Sequence, residues 1–527
     1  MSTPKKSPSA AGDSSPVRPA LVSRPLSHIA DGFDWLADVP TVAVTGITLD
    51  SRHVANGDLY CALQGANAHG ADFARQAIDA GCAAILTDVK GANSVREQAG
   101  SFPLLVTADP RSRVGEISSR VYGNPSTRLK IIGITGTDGK TTTAMLAEAG
   151  LRAAGFSTGL VGTIVTRIGD QELPSVRTTP EAPDLHALLA VMVERGVSAV
   201  AMEVSSHALV LGRVSGVDFD VAVFTNLGRD HLDFHADQES YFAAKSGLFT
   251  PGYASAGLVC VDDQWGSRLA AAAAIPVQTY SVPDSALTGD SNEVADWSVS
   301  EVEIDEVGWR FLINGPAGTA HAGCRLPGLF NVRNAVAAVA AVCEVGGELA
   351  AASHGVAGCE AVPGRMQPIA ADSGFAVFVD YAHTPDAVGR AISVGRELAQ
   401  HRGGKLLVLL GCGGDRDRQK RPLMGEVAAR LADVVVVTDD NPRSEDPSAI
   451  RQEMMVGVER VPVSIRAQVR EVAGREEALR DVMRLAARQD VVIALGKGHE
   501  STQEVNGHFV PLDDQAILAD AIARLTA

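Results

Sequence analysis

The sequence predicts an α/β protein of three domains: a small N-terminal α/β domain, a central P-loop ATPase-like domain, and a C-terminal Rossmann-like domain with a mostly parallel sheet. Three observations carry this. A chain of 527 residues, 46% of them hydrophobic, is too long for one core and has ample apolar side chains for several. A glycine-rich loop, Gly133-Ile134-Thr135-Gly136-Thr137-Asp138-Gly139-Lys140-Thr141-Thr142, stands between the apolar run Leu129–Ile134 and the helical segment Ala144–Ala153. Near the C-terminus the apolar runs Lys405–Leu410, Asp433–Thr438 and Asp490–Leu495 are separated by helical segments, the pattern of strands covered on both faces and joined by crossover helices.

Residues 1–25 are rich in Ser, Pro, Ala and Lys without apolar periodicity, and read as a disordered tail because they have too little to bury. From 26 to 125, the short apolar segments Gly57–Ala62, Ala83–Thr87 and Leu104–Val106 alternate with helical stretches, giving the small α/β domain, and Asn124-Pro125 is its hinge. The central domain, 126–363, carries strands near Val197–Met202 and Val221–Thr225. It then reads as irregular over Tyr253–Ala320 and returns to an Ala/Val-rich helix within Pro327–Gly347. The turn cluster Val362-Pro363-Gly364-Arg365 marks the second boundary, and 364–527 forms the C-terminal domain, with a strand at Ala376–Val379.

The glycine-rich loop has the chemistry of a phosphate cradle. Glycines let consecutive N–H groups face one anion, the following helix adds its positive end, Lys140 brings an ammonium to the terminal phosphates, and Thr141 offers a hydroxyl to Mg²⁺. The spacing departs from the usual pattern, since Ile134 stands where the first glycine would fall and Gly133 and Gly136 flank it. The loop does not separate ATP from GTP.

A formal charge of −17 argues against nucleic acid as a partner. Seven scattered cysteines without a CxxC pair indicate neither a zinc site nor a disulfide framework, and fit a reducing cytosol. No apolar run reaches the roughly 18 residues needed to span a bilayer, so a soluble, cytoplasmic protein without membrane insertion is expected.

Chemistry clusters after the strands. The three C-terminal runs end in Gly411-Cys412-Gly413-Gly414-Asp415-Arg416, Asp439-Asp440-Asn441-Pro442-Arg443 and Gly496-Lys497-Gly498-His499-Glu500. In a parallel sheet these ends share one edge, where open α/β folds bind ligands, and Arg416, Arg443, Asp440, Asn441 and Glu500 suit the carboxylate and ammonium of an amino acid. The alternative is that these charges cap helices or pair on the surface. In the central domain, Glu203 follows one strand within Glu203-Val204-Ser205-Ser206-His207 and is a natural oxygen ligand for Mg²⁺. His231, in Asn226-Leu227-Gly228-Arg229-Asp230-His231, reads equally as a ligand or as the start of a capped helix. Asn331 and Asn334 by themselves read as a helix cap, and Lys245 as a surface residue of a helix.

Assembled, these motifs resemble the Mur ligases, ATP-dependent amino-acid-adding enzymes of bacterial cell-wall precursor synthesis. The resemblance rests on Gly-Thr-Asp-Gly-Lys-Thr-Thr, Glu-Val-Ser-Ser-His, Asn-x-x-x-Asp-His, Gly-x-Phe-Asn-x-x-Asn and Asp-Tyr-Ala-His-Thr-Pro, and runs from about Ser27 to the C-terminus. Asp440-Asn441-Pro442-Arg443 is similar to the signature of the branch that adds meso-diaminopimelate to a UDP-muramoyl dipeptide.

The resemblance implies a monomeric ligase with ATP as substrate and two Mg²⁺ ions. It implies that Lys140, Glu203, His231 and Lys245 are catalytic, with Thr141, Glu203, His231 and Lys245 holding metal and Lys245 carrying a carbamate. Gly136, Thr137, Asp138, Gly139, Lys140, Thr141, Thr142, Asn331, Arg333, Asn334, Arg365, Asp380 and His383 would surround the nucleotide. Leu49, Ser51, Ala66, Asn67, Ala68, Thr178, Thr179, Ser205 and Arg213 would meet the UDP-muramoyl dipeptide, with Arg177 and Leu211 departing from residues some relatives carry. Arg416, Asp440, Asn441, Pro442, Arg443, Gly496 and Glu500 would bind diaminopimelate. The implied reaction activates a carboxylate by phosphorylation and passes it to an amine. Rival readings are a folylpolyglutamate synthase, lysine in place of diaminopimelate, and a nucleotide-driven switch that makes no product.

Overall fold

The computed structural model describes residues 17–175, 177–231, 234–283, 295–304, 308–370 and 373–526. The chain divides into two compact units. One comprises 17–130, 179–198 and 207–219, and the other 131–178, 199–206 and 220–526. Of the tail expected at 1–25, residues 1–16 lie outside the described residues. The remainder is held in place, because the Arg18 guanidinium grips both carboxylate oxygens of buried Asp58 at 2.8 Å and Arg24–Pro25 pairs antiparallel with Ala43–Val44.

The first unit is built on a four-stranded parallel sheet whose neighbours in order are Gly46–Thr48, Asp58–Ala62, Ala84–Thr87 and Leu104–Val106. Three of them coincide to within one residue with the apolar segments Gly57–Ala62, Ala83–Thr87 and Leu104–Val106, because short apolar runs are satisfied where both faces are covered, while Gly46–Thr48, with a single large apolar side chain, is an additional strand. Helix Arg111–Val121 buries Val114, Ile117 and Val121 beside Leu26, Ile47 and Leu59. Helix Ala182–Glu194 packs on it and encloses His186, whose Nε2 meets the Ser215 carbonyl at 3.0 Å while Nδ1 has no partner.

The second unit holds two larger sheets. The eight-stranded sheet runs Gln171–Pro174, Val165–Ile168, Thr158–Val161, Ala199–Glu203, Lys130–Thr135, Phe219–Phe224, Ala254–Cys260 and Val277–Tyr280. Its expected strands appear with small shifts. The helix expected at Ala144–Ala153 begins earlier, at Lys140, directly out of the glycine loop. It packs against Leu329–Glu344 and Leu349–Ala357. The first of those is alanine- and valine-rich because it is buried on nearly every side, where small side chains permit close approach.

The segment Tyr253–Ala320, expected to be irregular, is instead largely regular over its described residues, with 284–294 and 305–307 lying outside them. It supplies two strands of that sheet, helix Gln264–Ala272, and most of an antiparallel sheet of Ser298–Ile304, Trp309–Gly315 and Gly318–Cys324. Alternation is legible at Trp309, Phe311 and Ile313, which are buried beside Trp297 and Val299 in the central core. The glycine- and alanine-rich partner strand conceals it.

The C-terminal sheet runs Gln367–Pro368, Ala376–Asp380, Val491–Leu495, Leu406–Leu410, Val434–Val437 and Gln468–Glu471. All its neighbours are parallel except the first pair. The three chemistry-bearing loops therefore leave adjacent strands at one edge, as their spacing implied.

Burial pushes the His186 imidazole down to about 4, so the folded protein holds it neutral where the unfolded chain, near 6.5, takes up a proton. Stability from this group is complete above pH 6.5 and falls with pH through about 4, a loss of about 3 kcal/mol. Melting temperature should therefore drop more steeply with acidification in the parent than in His186→Gln. Parallel curves for the two proteins would remove His186 as the cause.

Candidate active site

The phosphate loop closes through backbone that only glycine adopts. Gly136 and Gly139 have φ of 146° and 85°, and a Cβ on Gly136 would collide with Thr225 Oγ1. The loop is braced by the neighbouring strand end: Asn226 Oδ1 accepts the Asp138 N–H at 3.0 Å, and Thr225 Oγ1 donates to the Asp138 carbonyl at 2.6 Å.

Around it lies a cleft of about 230 Å³ lined by Thr137, Asp138, Gly139, Lys140, Thr141 and Thr142 together with Glu203, His231, Lys245, Asn331, Asn334, Arg365, Asp380 and His383. Residues scattered over more than two hundred positions thus share one wall. Two expected nucleotide residues are not among the lining. Gly136 turns its carbonyl to the lysines, and Arg333 donates from Nε to the Val282 carbonyl at 2.8 Å and pairs with Asp262 at 2.6 Å.

Glu203 is 1% exposed and carries its carboxylate among hydroxyls. It accepts from Thr141 Oγ1 at 2.9 Å and from the Thr163 N–H and Oγ1 at 2.7 and 3.1 Å. This hard oxygen set at a phosphate loop fits Mg²⁺. His231 stands at the cleft with φ 54°, its Nε2 3.4 Å from Asp230 Oδ2. Burial opposes ionisation of Asp230, but the adjacent His231, His383 and Lys420 outweigh it and hold the carboxyl at about 2. Among the described residues no group of three or more His, Cys, Asp or Glu is placed to hold a metal by itself.

Lys245 is not the surface residue its helix suggested. It is 1% exposed, donates to the Gly136 carbonyl at 2.6 Å, and stands 4.5 Å from the Tyr241 ring centroid. Lys140 donates to the same carbonyl at 2.9 Å and to that of Thr137 at 2.8 Å. Burial drives the Lys245 amine well below its ordinary value, and the Lys140 charge adds to the shift. Burial also lowers Lys140.

The Asn331 and Asn334 pair is likewise no helix cap. Helix Leu329–Glu344 starts at Gly328 without a side-chain cap bond, and the two asparagines lie inside its first turns. Asn334 Nδ2 donates to Asn331 Oδ1 at 3.0 Å, and Asn331 Nδ2 donates to the Pro327 carbonyl at 2.7 Å, which presents both to the cleft.

The C-terminal sheet contributes directly to this wall. Arg365 Nη2 donates to Thr141 Oγ1 at 3.1 Å and its guanidinium lies 4.6 Å over the Tyr381 ring. Half-buried Asp380 accepts the N–H groups of Met366 and Ala382, each at 2.7 Å, and desolvation raises its carboxyl. His383 Nδ1 meets the Tyr381 carbonyl at 2.8 Å.

At the strand-end loops, Asn441 Nδ2 donates to Glu500 Oε2 at 2.8 Å, and a Cβ on Gly496 would stand 2.6 Å from Asp440 Oδ2. Arg443, at φ 52°, donates from Nε to Glu504 at 3.1 Å and from Nη1 to the Gly414 carbonyl at 2.7 Å. Pro442 turns its carbonyl to the Glu445 N–H, and exposed Arg416 donates to the Asp415 carbonyl at 3.1 Å.

The residues expected to meet a UDP-muramoyl dipeptide divide between the units. Leu49, Ser51 and exposed Ala66, Asn67 and Ala68 follow two neighbouring parallel strands of the first unit, which also holds Thr179 and Arg213. There Arg213 pairs with Glu181 at 2.9 Å. Thr178 and Ser205 line the cleft of the second unit.

Sequence reasoning passed over several groups. Thr163 follows a strand neighbouring that of Glu203, and its place after a strand was the available signal. Arg390, which pairs with Asp138 of the phosphate loop, lies well inside its helix and gives none. Lys497 was visible in its motif, and its fully enclosed ammonium holds Glu500 at 2.9 Å and the Thr502 carbonyl at 2.6 Å. Arg475, enclosed with Asp514 at 2.6 Å, donates to the carbonyls of Asp439 and Leu495 and so fixes two of the three loops from behind.

Three family descriptions match this chain in order: the Mur ligase family catalytic domain over residues 43–120, the Mur ligase middle domain over 134–342, and the Mur ligase glutamate ligase domain over 364–498. A UDP-N-acetylmuramoyl-L-alanyl-D-glutamate--2,6-diaminopimelate ligase of Streptomyces coelicolor is 48% identical over 511 residues, covering 97% of this chain and 98% of the relative. Its counterpart in Corynebacterium glutamicum is 44% identical over 481 residues, covering 90% of each. A solved structure titled as the same ligase superposes with a TM-score of 0.66 at 31% identity, over 96% of this chain and all of that one. With the cleft, the strand-end loops and these near full-length likenesses in agreement, the chain belongs to the Mur ligase family.

Proposed function

We propose that this protein joins meso-2,6-diaminopimelate to UDP-N-acetylmuramoyl-L-alanyl-D-glutamate at the expense of ATP, releasing ADP and phosphate, as a step of peptidoglycan precursor synthesis that serves wall growth, cell shape and division. The observation that carries it is the Asp440–Arg443 loop touching both other charged strand-end loops, through the Gly414 N–H to the Asn441 carbonyl at 2.9 Å and Asn441 Nδ2 to Glu500 at 2.8 Å, in the same unit as the Arg365 that reaches Thr141 of the phosphate loop. Relatives named for this reaction support it at 48% and 44% identity.

A free carboxylate resists an amine because its oxygen is a poor leaving group. The γ-phosphoryl of ATP passes to the D-glutamyl γ-carboxylate, giving an acyl phosphate and ADP. The diaminopimelate amine attacks that carbonyl, loses a proton, and phosphate departs from the tetrahedral intermediate to leave an amide. The loop N–H groups, the positive end of helix Lys140–Ala153 and Lys140 receive the phosphates, which requires Lys140 to exchange its present carbonyl partners for phosphate oxygens. Thr141, Glu203 and His231 would hold Mg²⁺, with Lys245 as its carbamate serving a second ion. Bound magnesium supplies neutralisation of the charge that moves with the phosphoryl group. For Lys245, a buried amine depressed by a second ammonium is the form that adds carbon dioxide, and the carbamate reverses the sign of its charge beside Lys140.

Asn331, Asn334, Arg365, Asp380 and His383 would surround the nucleotide, and Arg333 would act from behind them. Leu49, Ser51, Ala66, Asn67, Ala68, Thr178, Thr179, Ser205 and Arg213 would take the UDP-muramoyl dipeptide. Asp440, Asn441 and Glu500 would face the amino acid's ammonium, and Arg416 and Arg443 its second carboxylate. Lysine, lacking that carboxylate, would leave guanidinium charge unmatched. The reading includes a monomer divided at 26–125, 126–363 and 364–527, in the cytoplasm where ATP is made. No helix among the described residues is long and apolar enough to cross a membrane.

Supplied with ATP, Mg²⁺, the UDP-muramoyl dipeptide and equal diaminopimelate and lysine, the protein should yield the diaminopimelate adduct by mass spectrometry. A lysine adduct, or ATP hydrolysis without an adduct, would refute the assignment. In Arg416→Ala the KM for diaminopimelate should rise about a hundredfold with ATP affinity intact, and an unchanged KM would remove Arg416 from that role. Lys245→Ala should abolish turnover while still binding ATP, and added short-chain carboxylic acid should restore part of the rate. A fully active Lys245→Ala would rule out the carbamate.

A further inference from the structure

Arg421, on helix Lys420–Leu431, has a completely enclosed side chain and belongs to none of the ligand sets above. Its Nη2 donates to Glu445 Oε1 at 2.7 Å and to the Gly413 carbonyl at 3.2 Å, and its Nη1 donates to Glu445 Oε2 at 3.0 Å and Glu453 Oε2 at 2.9 Å. Burying a guanidinium in this way is costly unless carboxylates and carbonyls surround it, and here they come from two separate loops and a helix.

The partners of Arg421 join those loops in turn. Glu445 Oε1 also accepts the Asp415 N–H at 2.6 Å, and the Asp415 carboxylate accepts the Ser444 N–H at 3.1 Å and Oγ–H at 2.8 Å. The Gly414 N–H donates to the Asn441 carbonyl at 2.9 Å, and a Cβ on Gly414 would strike the Pro442 carbonyl oxygen. The result is a seam with backbone pressed on backbone. Arg416 adjoins Asp415 on one side of it, and Arg443 adjoins Ser444 on the other. The Arg421 hydrogen bond holds the Glu445 carboxyl at about 2, so the clamp stays charged at any working pH.

We infer that Arg421 is a positioning residue that fixes the spacing of Arg416 and Arg443 and so sets the preference for an amino acid bearing a second carboxylate over one without it. The inference rests on the proposed diaminopimelate reading. Two guanidiniums recognise a carboxylate only when their separation is held, and a displacement near 1 Å in a positioned site costs up to about a hundredfold.

The test compares the parent with Arg421→Met, Arg421→Lys and Glu445→Gln in steady-state kinetics on diaminopimelate, lysine, ATP and the UDP-muramoyl dipeptide, with melting temperature measured for each. Arg421→Met should raise the KM for diaminopimelate by about tenfold to about a hundredfold and lower the diaminopimelate-over-lysine preference by a similar factor, with the KM values for ATP and the nucleotide sugar within about twofold of the parent. Arg421→Lys should not restore the preference, because a single ammonium does not span Glu445, Glu453 and Gly413 together. Glu445→Gln, which keeps the shape of the seam and one acidic partner, should shift the same two quantities in the same direction, and it decides the matter if Arg421→Met does not fold. Unchanged diaminopimelate KM and preference in Glu445→Gln and in any folded Arg421 variant, or an equal loss for every substrate, would overturn the inference. A parent that makes no diaminopimelate adduct would overturn the proposed function itself, whereas a competent parent with unaffected variants would remove only this role of Arg421.

Discussion

One backbone oxygen organises the catalytic half of this protein. The Gly136 carbonyl receives both Lys140 and Lys245, the first partly and the second almost wholly removed from solvent. Two ammonium charges cannot share one neutral acceptor at low dielectric without strong repulsion, so at least one amine is driven toward its neutral form. That places a nucleophilic amine and a phosphate-seeking cation side by side, and the glycine at 136 is what turns the carbonyl toward them. Glu203 balances the site from across the cleft, anchored by Thr141 and Thr163.

The C-terminal sheet solves a different problem with the same economy. Its parallel strands bring three loops to one edge, but loops rich in glycine and charge would not keep a fixed geometry unaided. Enclosed cations anchor them: Arg475 holds the carbonyls behind two loops, Lys497 holds Glu500, and Arg421 joins the loops of Arg416 and Arg443. Each anchor spends most of its donors on protein acceptors, with only Arg421 Nε among them left unpaired, while exposed Arg416 retains capacity for a ligand. Arg421 and Arg475 are enclosed, whereas Arg416 is exposed.

This division also explains what could be read from the sequence. Strands such as Leu104–Val106 and Val491–Leu495 were legible because their apolar runs have no other stable placement, and the motif residues followed as strand ends. Lys245 was not, since its short helix has a mixed composition and burial comes from Gly136, more than a hundred residues away. Asn331 and Asn334 misled for a related reason: the helix begins two residues before Asn331, so groups that looked like caps became lining. The sheet ending at Cys324 escaped because Gly318–Cys324 has no large apolar side chains to alternate. Local pattern reports what a segment does alone, and these residues depend on what packs over them.

The coupling of the two sheets in the second unit follows from the same logic. Arg365 belongs to the C-terminal part of the chain yet spends its charge on Thr141 and the Tyr381 face, and Arg390 is committed to Asp138. Both cations thus sit on groups of the phosphate loop that a nucleotide would also address. Because a guanidinium prefers a phosphate oxygen with full charge to a neutral hydroxyl, nucleotide binding gives Arg365 a stronger partner than it now has. Arg390 faces a closer contest, since its present partner is already a carboxylate. A nucleotide entering the cleft would therefore compete for the contacts that now join the phosphate loop to residues of the C-terminal part of the chain.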